Sequence, residues 1–123
     1  VIKYSETKLG IMALNTYDYD KLFDVDLEMT KAEALDSGES MMDHAMVITG
    51  VDLVDGKPTK WKVENSWGNK VGHKGYFVMS DDWMDKYCYQ VVINKKYLSE
   101  DLKRDYAKSP VVLKPWDPMG TLA

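Results

Sequence analysis

The stretch Lys60-Trp61-Lys62-Val63-Glu64-Asn65 alternates strictly between charged side chains and side chains without charge. Such alternation predicts a β-strand with one buried face and one charged face. Trp61, Val63 and Asn65 share the inward face, where an amide costs free energy unless it is hydrogen-bonded. The stretch therefore predicts a half-buried strand that carries a buried amide.

A second, apolar strand is predicted immediately upstream, within residues 44–54, and Asp55-Gly56 is a turn signal between the two. In a hairpin centred on this turn, Asn65 would lie opposite Met46, and His44 two positions further along. Positions two apart on a strand share a face and are roughly 7 Å apart. The hairpin therefore predicts an imidazole and a buried amide within side-chain reach, although a slip of one residue would separate them.

Short elements are predicted on both sides of this hairpin. Thr30 and Glu33 have the spacing of a capping box, so we expect a short helix that ends near Gly38. Residues 76–79 and 89–94 are predicted strands, the second because it is rich in Val and Ile.

Two further helices are predicted from serine caps. Ser80 can cap a turn of helix, and Ser99 can cap a helix that runs to about Ala107. The tail, about residues 109–123, contains three prolines and is expected to be extended and irregular.

Composition limits the class of protein. The 123 residues suffice for one domain, 1–123, and a hydrophobic fraction of 45% makes a packed core plausible. The net charge of -4 argues against nucleic-acid and membrane-surface binding, and no apolar run approaches the roughly 20 residues that span a bilayer. The single cysteine, Cys88, excludes an internal disulfide and fits a reducing compartment.

The predicted contact between His44 and Asn65 suits acid–base chemistry. An amide oxygen that accepts one ring N–H fixes the tautomer and leaves the other ring nitrogen to face a nucleophile. Beside a cysteine, such a pair can settle as thiolate and imidazolium. Spacing alone leaves a structural role open for both residues, since buried His and Asn side chains are commonly just hydrogen-bonded parts of a core.

Three segments carry a resemblance to a known family. Asp43-His44-Ala45-Met46 resembles the catalytic-histidine segment of papain-like cysteine peptidases. Glu64-Asn65-Ser66-Trp67-Gly68 resembles their Asn-Ser-Trp-Gly segment, and Gly72-His73-Lys74-Gly75-Tyr76 resembles the Gly-x-x-Gly-Tyr that follows it. Their order and separation also fit the family.

Other segments point to one branch, that of bleomycin hydrolase and aminopeptidase C. They are Gly38-Glu39-Ser40, the stretch from Trp61 to Gly68, Met79-Ser80-Asp81, and Lys114-Pro115-Trp116-Asp117-Pro118-Met119-Gly120. The resemblance implies an α+β fold like the strand-rich lobe of these peptidases, with a twisted antiparallel sheet or partial barrel and short flanking helices.

The resemblance also implies residue roles. His44 would be the general base and acid and the ion-pair partner of the cysteine, and Asn65 would orient it. Trp67 would cover the contact between them and exclude water, with an ordinary core position as the alternative. The carboxylate of Ala123 would select the free α-amino group of a peptide substrate by ion pairing.

The chain departs from the family in lacking its nucleophile. The family's cysteine segment and oxyanion glutamine lie far upstream in the other lobe and have no counterpart here. Cys88 follows the histidine within Lys86-Tyr87-Cys88-Tyr89, where a packing role is expected. We therefore expect half an active site, inactive alone, with no metal or other cofactor, since no zinc-like ligand spacing exists.

The implied whole protein is a cytoplasmic cysteine aminopeptidase. Its expected partners are peptide substrates, the missing cysteine-bearing N-terminal lobe and further copies in a homo-hexamer. Two alternatives remain open: a non-catalytic binding or structural module with the same fold, and a hydrolase that uses another nucleophile. Ser66 does not lie in a Gly-x-Ser-x-Gly motif, and His73 is expected to be a surface residue.

Overall fold

The computed structural model describes residues 4–120, which form one five-stranded sheet with short helices. The strands are β1 (Ser5–Glu6), β2 (Ile11–Met12), β3 (Val47–Val54), β4 (Lys57–Glu64) and β5 (Tyr76–Ser80). Their order in the sheet is β1-β2-β5-β4-β3. The helices are α1 (Tyr19–Phe23), α2 (Lys31–Asp36), α3 (Asp81–Tyr87) and α4 (Glu100–Tyr106). The predicted α+β class with short helices is confirmed.

The sheet is antiparallel except for one pair. β2 runs parallel to β5, while the other neighbouring strands are antiparallel. A tight turn can join only antiparallel strands, whereas β2 and β5 are separated by a long connection that allows parallel pairing. The β2–β5 pair departs from the predicted antiparallel sheet. Sequence analysis missed β2 because a strand of two residues is too short to show a pattern of alternating side chains.

The β3–β4 hairpin has the predicted turn and register. Asp55 and Gly56 both have positive φ angles, 51° and 75°, as a two-residue type I′ turn requires. Ile48 lies opposite Val63 at the far end, in the predicted register. Two irregularities interrupt the ladder between Ile48 and Gly50 and between Asp52 and Leu53. Their shifts offset each other, so the end of the hairpin nearest the predicted site keeps its alignment.

A small core lies on one face of this sheet. It consists of Met12, Val63, Phe77, Met79 and Trp83, with α3 supplying the tryptophan. The indole N–H of Trp61 donates to Asp81 Oδ1 at 2.7 Å, which joins β4 to the start of α3. The charged residues of β4 face solvent on the opposite side, as their alternation predicts.

The predicted helices are present. The Thr30 hydroxyl accepts from the Glu33 N–H and the Glu33 carboxylate accepts from the Thr30 N–H, so α2 begins with a complete capping box. Ser99 caps α4 by accepting from Leu102. Ser80 precedes α3 but its hydroxyl donates to Asp82 instead of capping a backbone N–H.

The predicted strand at residues 89–94 is wrong. This segment has no regular secondary structure, and Val91, Val92 and Ile93 are exposed. A strand requires a neighbour for its backbone hydrogen bonds, and none of the five described strands pairs with it. High Val and Ile content favours a strand only where such a neighbour exists.

The tail is irregular, as predicted, over the residues that the structure describes. Residues 109–114 have no regular structure, and Pro118–Gly120 form a 3₁₀ turn. The expectation for the carboxylate of Ala123 lies outside the described residues. Within residues 4–120, no helix has the length and apolar character needed to cross a bilayer.

Candidate active site

His44 and Asn65 are joined by a hydrogen bond. Asn65 immediately follows β4, and its side chain is only 7% exposed. His44 lies three residues before β3, the strand that pairs with β4, and is exposed as a residue. The Nε2 atom of His44 lies 2.9 Å from Oδ1 of Asn65. The structure therefore brings together the two residues that the hairpin register predicts to be neighbours.

The backbone fixes which amide atom faces the imidazole. The Ser66 N–H donates to Asn65 Oδ1 at 2.8 Å, so that position must hold the oxygen and not the amide nitrogen. An oxygen only accepts, and His44 Nε2 must therefore carry the proton in this contact. The neutral ring then has its lone pair on Nδ1, which is the nitrogen available to take up a proton.

The other amide atom of Asn65 has no partner. Its Nδ2 is fully buried, and no acceptor for it exists among residues 4–120. An unsatisfied buried donor costs about 1–3 kcal/mol. Buried donors are usually paired, so a partner for Nδ2 is expected outside residues 4–120.

Trp67 stacks on His44. The ring centroids are 5.2 Å apart and the planes are 29° from parallel. The indole also meets the buried Phe77 edge-on, with ring centroids 6.0 Å apart and an interplanar angle of 84°. Trp67 remains 42% exposed, so it covers one face of the imidazole without being a core residue. Its position links the ring of His44 to the core.

The loop from Asn65 to Tyr76 is fastened close to the site. The Asn65 N–H donates to Gly75 O at 2.9 Å, which closes the loop directly behind the amide. Gly72 has a φ of 62°, and a Cβ there would lie 2.6 Å from Tyr76 O and 2.8 Å from the Phe77 ring. Only glycine fits this position without a clash. The missing side chain leaves room for the Phe77 ring, which contacts Trp67.

Cys88 is not part of this arrangement. It ends α3, where its N–H donates to Met84 O and its thiol to Gln90 O at 3.7 Å. Its carbonyl accepts from the Lys31 ammonium at 2.6 Å. The hydrogen bond of the His44 ring runs to Asn65, and none joins it to this thiol.

The remaining candidates also lie apart from the pair. His73 is exposed in the glycine loop, as predicted. No group of three or more metal-ligating side chains exists in the described part of the chain. Two shallow concavities border α1 and α2 and are lined largely by acidic residues: Asp20, Asp24, Asp26, Glu28, Glu33 and Asp36. His44 does not line either of these two concavities.

Sequence reasoning missed two supporting groups. One is the Ser66 N–H, which orients the amide but, as a backbone group, leaves no trace in residue type. The other is Phe77, which holds Trp67. Its inward position in the predicted strand at 76–79 was the available signal, but nothing local ties it to Trp67.

Fold and site together define a class: an α+β lobe that presents an imidazole, oriented by a buried amide, on an open face. The family comparison agrees with this class. Residues 1–120 match the Peptidase C1-like family, and the chain belongs to it.

Curated relatives are similar along the whole chain. Aminopeptidase C of Lactobacillus helveticus is 66% identical, with 100% of this chain and 28% of that protein covered. Bleomycin hydrolase of Gallus gallus is 48% identical, again with 100% of this chain and 28% of that protein covered. The chain therefore spans little more than a quarter of the length of these relatives.

A solved structure has the same fold. The crystal structure of PepW from Lactobacillus rhamnosis HN001 superposes with a TM-score of 0.87 at 65% identity. The match covers 96% of this chain and 27% of that one. The predicted resemblance to the bleomycin hydrolase and aminopeptidase C branch is confirmed.

Proposed function

We propose that residues 1–123 form the His- and Asn-bearing C-terminal lobe of a cysteine aminopeptidase, with a tail at about 109–123. The observation that carries the proposal is the hydrogen bond from His44 Nε2 to Asn65 Oδ1. Because Ser66 fixes the oxygen, this bond leaves His44 Nδ1 as a free base. The names of the relatives, aminopeptidase C and bleomycin hydrolase, support the same reaction class.

The proposed chemistry needs a cysteine from a part of the protein outside this chain. His44 Nδ1 takes the thiol proton, which gives a thiolate and an imidazolium. The thiolate attacks the peptide carbonyl, and His44 returns the proton to the departing amine, which leaves an acyl-enzyme. His44 then takes a proton from water, whose oxygen attacks the thioester, and the released thiolate and imidazolium restore the resting pair.

Asn65 and Trp67 are proposed as positioning residues in this cycle. Asn65 accepts from the imidazolium Nε2–H throughout, so the ring does not rotate when Nδ1 gains a proton. Trp67 stacks on the ring and keeps water from one of its faces. A drier environment strengthens the attraction between thiolate and imidazolium.

Specificity for the peptide N-terminus is assigned to the tail. A carboxylate at Ala123, placed in the substrate cleft, would pair with the substrate's free α-amino group and exclude blocked peptides. The aminopeptidase names of the relatives support this assignment.

The partners follow from the half-site. The face around His44 is proposed to meet the cysteine-bearing lobe, and peptides are proposed to bind between the two lobes. The whole protein is proposed to form a homo-hexamer and to act in the cytoplasm. The single, reduced Cys88 supports a reducing compartment.

The test uses a longer polypeptide in which these residues follow the cysteine-bearing part. His44→Ala should lower kcat for a fluorogenic aminoacyl amide by at least about a hundredfold, because the general base is lost. The matched control is His73→Ala, which removes an exposed imidazole from the adjacent loop and should leave kcat within about twofold. Unchanged kcat in the His44→Ala variant, as in the His73→Ala control, would refute the assignment of His44 as the general base. It would favour a non-catalytic module.

A further inference from the structure

His44 lies in a segment without regular secondary structure. Residues 41–46 connect the turn after α2 to the first residue of β3, so neither a helix nor a strand sets the backbone of His44 itself. The hydrogen bond to Asn65 orients the ring, but it forms only if the backbone of His44 is held within reach. The position of the imidazole therefore depends on how the two ends of this segment are fastened.

The downstream end of the segment is fastened to the sheet. Val47 is the first residue of β3 and lies opposite Glu64, the residue directly before Asn65. Met46 packs against the buried core. These contacts hold the C-terminal side of His44 in place relative to Asn65, but they do not act on its N-terminal side.

The upstream end of the segment is fastened at Ser40. This residue is buried, with 9% of its surface exposed. Its N–H donates to Ala34 O at 2.8 Å, which ties it to α2. Its Oγ accepts from the Tyr89 hydroxyl at 2.8 Å, across 49 positions of sequence. Ser40 is therefore held by a tertiary contact in addition to its local one, and its buried hydroxyl depends on Tyr89 for a donor.

Tyr89 is in turn held by Lys31, the first residue of α2. The Lys31 ammonium lies 5.0 Å from the centre of the Tyr89 ring. The same ammonium donates to Asp85 O at 2.8 Å and to Cys88 O at 2.6 Å, at the end of α3. Helix α2 thus carries both the cation that holds Tyr89 and the carbonyl that holds Ser40, so the contacts form a closed set.

We propose that Tyr89 and Ser40 are positioning residues for His44. His44 is the fourth residue after Ser40, and four residues of chain reach at most roughly 14 Å, so a displacement of Ser40 is carried to the imidazole. The bond between the two hydroxyls restricts the segment before the site and keeps the His44 ring within reach of Asn65. The pair acts through the backbone, and its consequence for catalysis rests on the proposed function.

The ring of His44 reports the effect without an assay of catalysis. In the longer polypeptide with ¹⁵N-labelled histidine rings, the His44 signals are those that His44→Ala removes. Tyr89→Phe deletes the hydroxyl and keeps the ring that contacts Lys31. It should move the ¹⁵N shifts of neutral His44 from the Nε2–H tautomer toward a mixture, because the bond to Asn65 is formed for less of the time. Unchanged shifts would overturn the proposal.

Steady-state kinetics of the longer polypeptide test the catalytic consequence. Tyr89→Phe should lower kcat for a fluorogenic aminoacyl amide by about two- to tenfold, the effect of one hydrogen bond, and leave KM within about twofold. Tyr97→Phe removes a hydroxyl from an exposed tyrosine and should leave both constants within about twofold. Ser99→Ala removes the cap of α4 and lowers stability away from Ser40. A loss of kcat in Ser99→Ala as large as in Tyr89→Phe would overturn the proposal, since general stability would then explain both.

Ser40→Ala tests the contact from its other side. It should lower kcat to a similar extent, and its combination with Tyr89→Phe should cost little more than either change alone, because both remove the same bond. Additive losses would contradict a shared contact. Altered His44 shifts in Tyr89→Phe, together with an unchanged kcat in His44→Ala, would refute the proposed function and leave the positioning intact. Unchanged shifts, together with a kcat lost in His44→Ala, would refute the positioning alone.

Discussion

The amide oxygen of Asn65 accepts from two donors, the Ser66 N–H and the His44 ring, at 2.8 and 2.9 Å. Because the Ser66 N–H fixes the oxygen in this position, the His44 ring must carry its proton on Nε2, and the contact selects one tautomer. The strand pattern predicted that the two side chains lie near each other, because alternation fixes the face of each residue. It could not predict the tautomer, because the deciding donor is a backbone N–H.

The tautomer is open to measurement in the 123-residue chain. We expect the ¹⁵N shifts of neutral His44 to show the proton on Nε2 alone, since Asn65 Oδ1 only accepts. Asn65→Ala removes the acceptor and should give a mixture of both tautomers, with His73 as an internal reference. A proton on Nδ1 in the unmodified chain would contradict the proposed role of that atom as the base.

Gly72 tests the packing behind the site. Gly72→Ala places a methyl group 2.6 Å from Tyr76 O, while Gly68→Ala meets nothing within 4 Å at a similar positive φ. Both should cost about 1–2 kcal/mol for the left-handed backbone. Gly72→Ala should lose roughly 1–3 kcal/mol more through overpacking. Chemical denaturation of the two variants measures the difference, and equal losses would show that the loop can relax around the methyl group.

The secondary structure elements differ in how well local sequence specifies them. The β3–β4 hairpin was predictable because Asp55-Gly56 provides the two positive φ angles that its turn requires. Helix α2 was predictable because the Thr30 and Glu33 caps are local. The strand predicted at residues 89–94 failed because a strand depends on a neighbour, which no local pattern supplies. The parallel pairing of β2 was missed for the same reason.

The surroundings of Tyr87, in helix α3, shift the pKa of its hydroxyl well above the ordinary value. Burial, followed by repulsion from the neighbouring Tyr4, Tyr89 and Glu39, raises the pKa of Tyr87 to about 12. The ordinary tyrosine pKa is 10.0. The folded protein therefore keeps Tyr87 protonated at pH values where the unfolded chain has already lost that proton.

The sign of the effect on stability follows. Below pH 10 the folded and the unfolded states both hold the Tyr87 proton, and the stabilising contribution of Tyr87 is fully present. Between pH 10 and about 12 only the unfolded state loses this proton, so the free energy of unfolding falls as the pH rises. Tyr87→Phe should make the loss of unfolding free energy over this interval less steep. Tyr97→Phe, which changes an exposed tyrosine, serves as the control. Identical slopes in the two variants would refute the assignment.

The chain combines a small core with the hydrogen-bonded pair His44 and Asn65. The core holds a sheet whose edge strand β3 is preceded by the catalytic candidate His44. Among the described residues, the hydrogen bond of the His44 ring runs to Asn65 and not to Cys88, and large apolar side chains such as Val92 and Val112 are exposed. Both features fit a chain that spans 28% of the length of its relatives. The fold class and the proximity of His44 to Asn65 were predictable from sequence because the motifs are local, whereas the catalytic roles of the two residues stay predictions.

The measurement to make is the hydrolysis of a fluorogenic aminoacyl amide under reducing conditions. The 123-residue chain should show no turnover, with or without His44→Ala, because the proposed cysteine nucleophile lies outside this chain. The longer polypeptide should turn over the substrate, lose activity on His44→Ala and keep it on Cys88→Ala. Turnover by the isolated chain that disappears on His44→Ala would contradict this, because a nucleophile would then lie within these 123 residues.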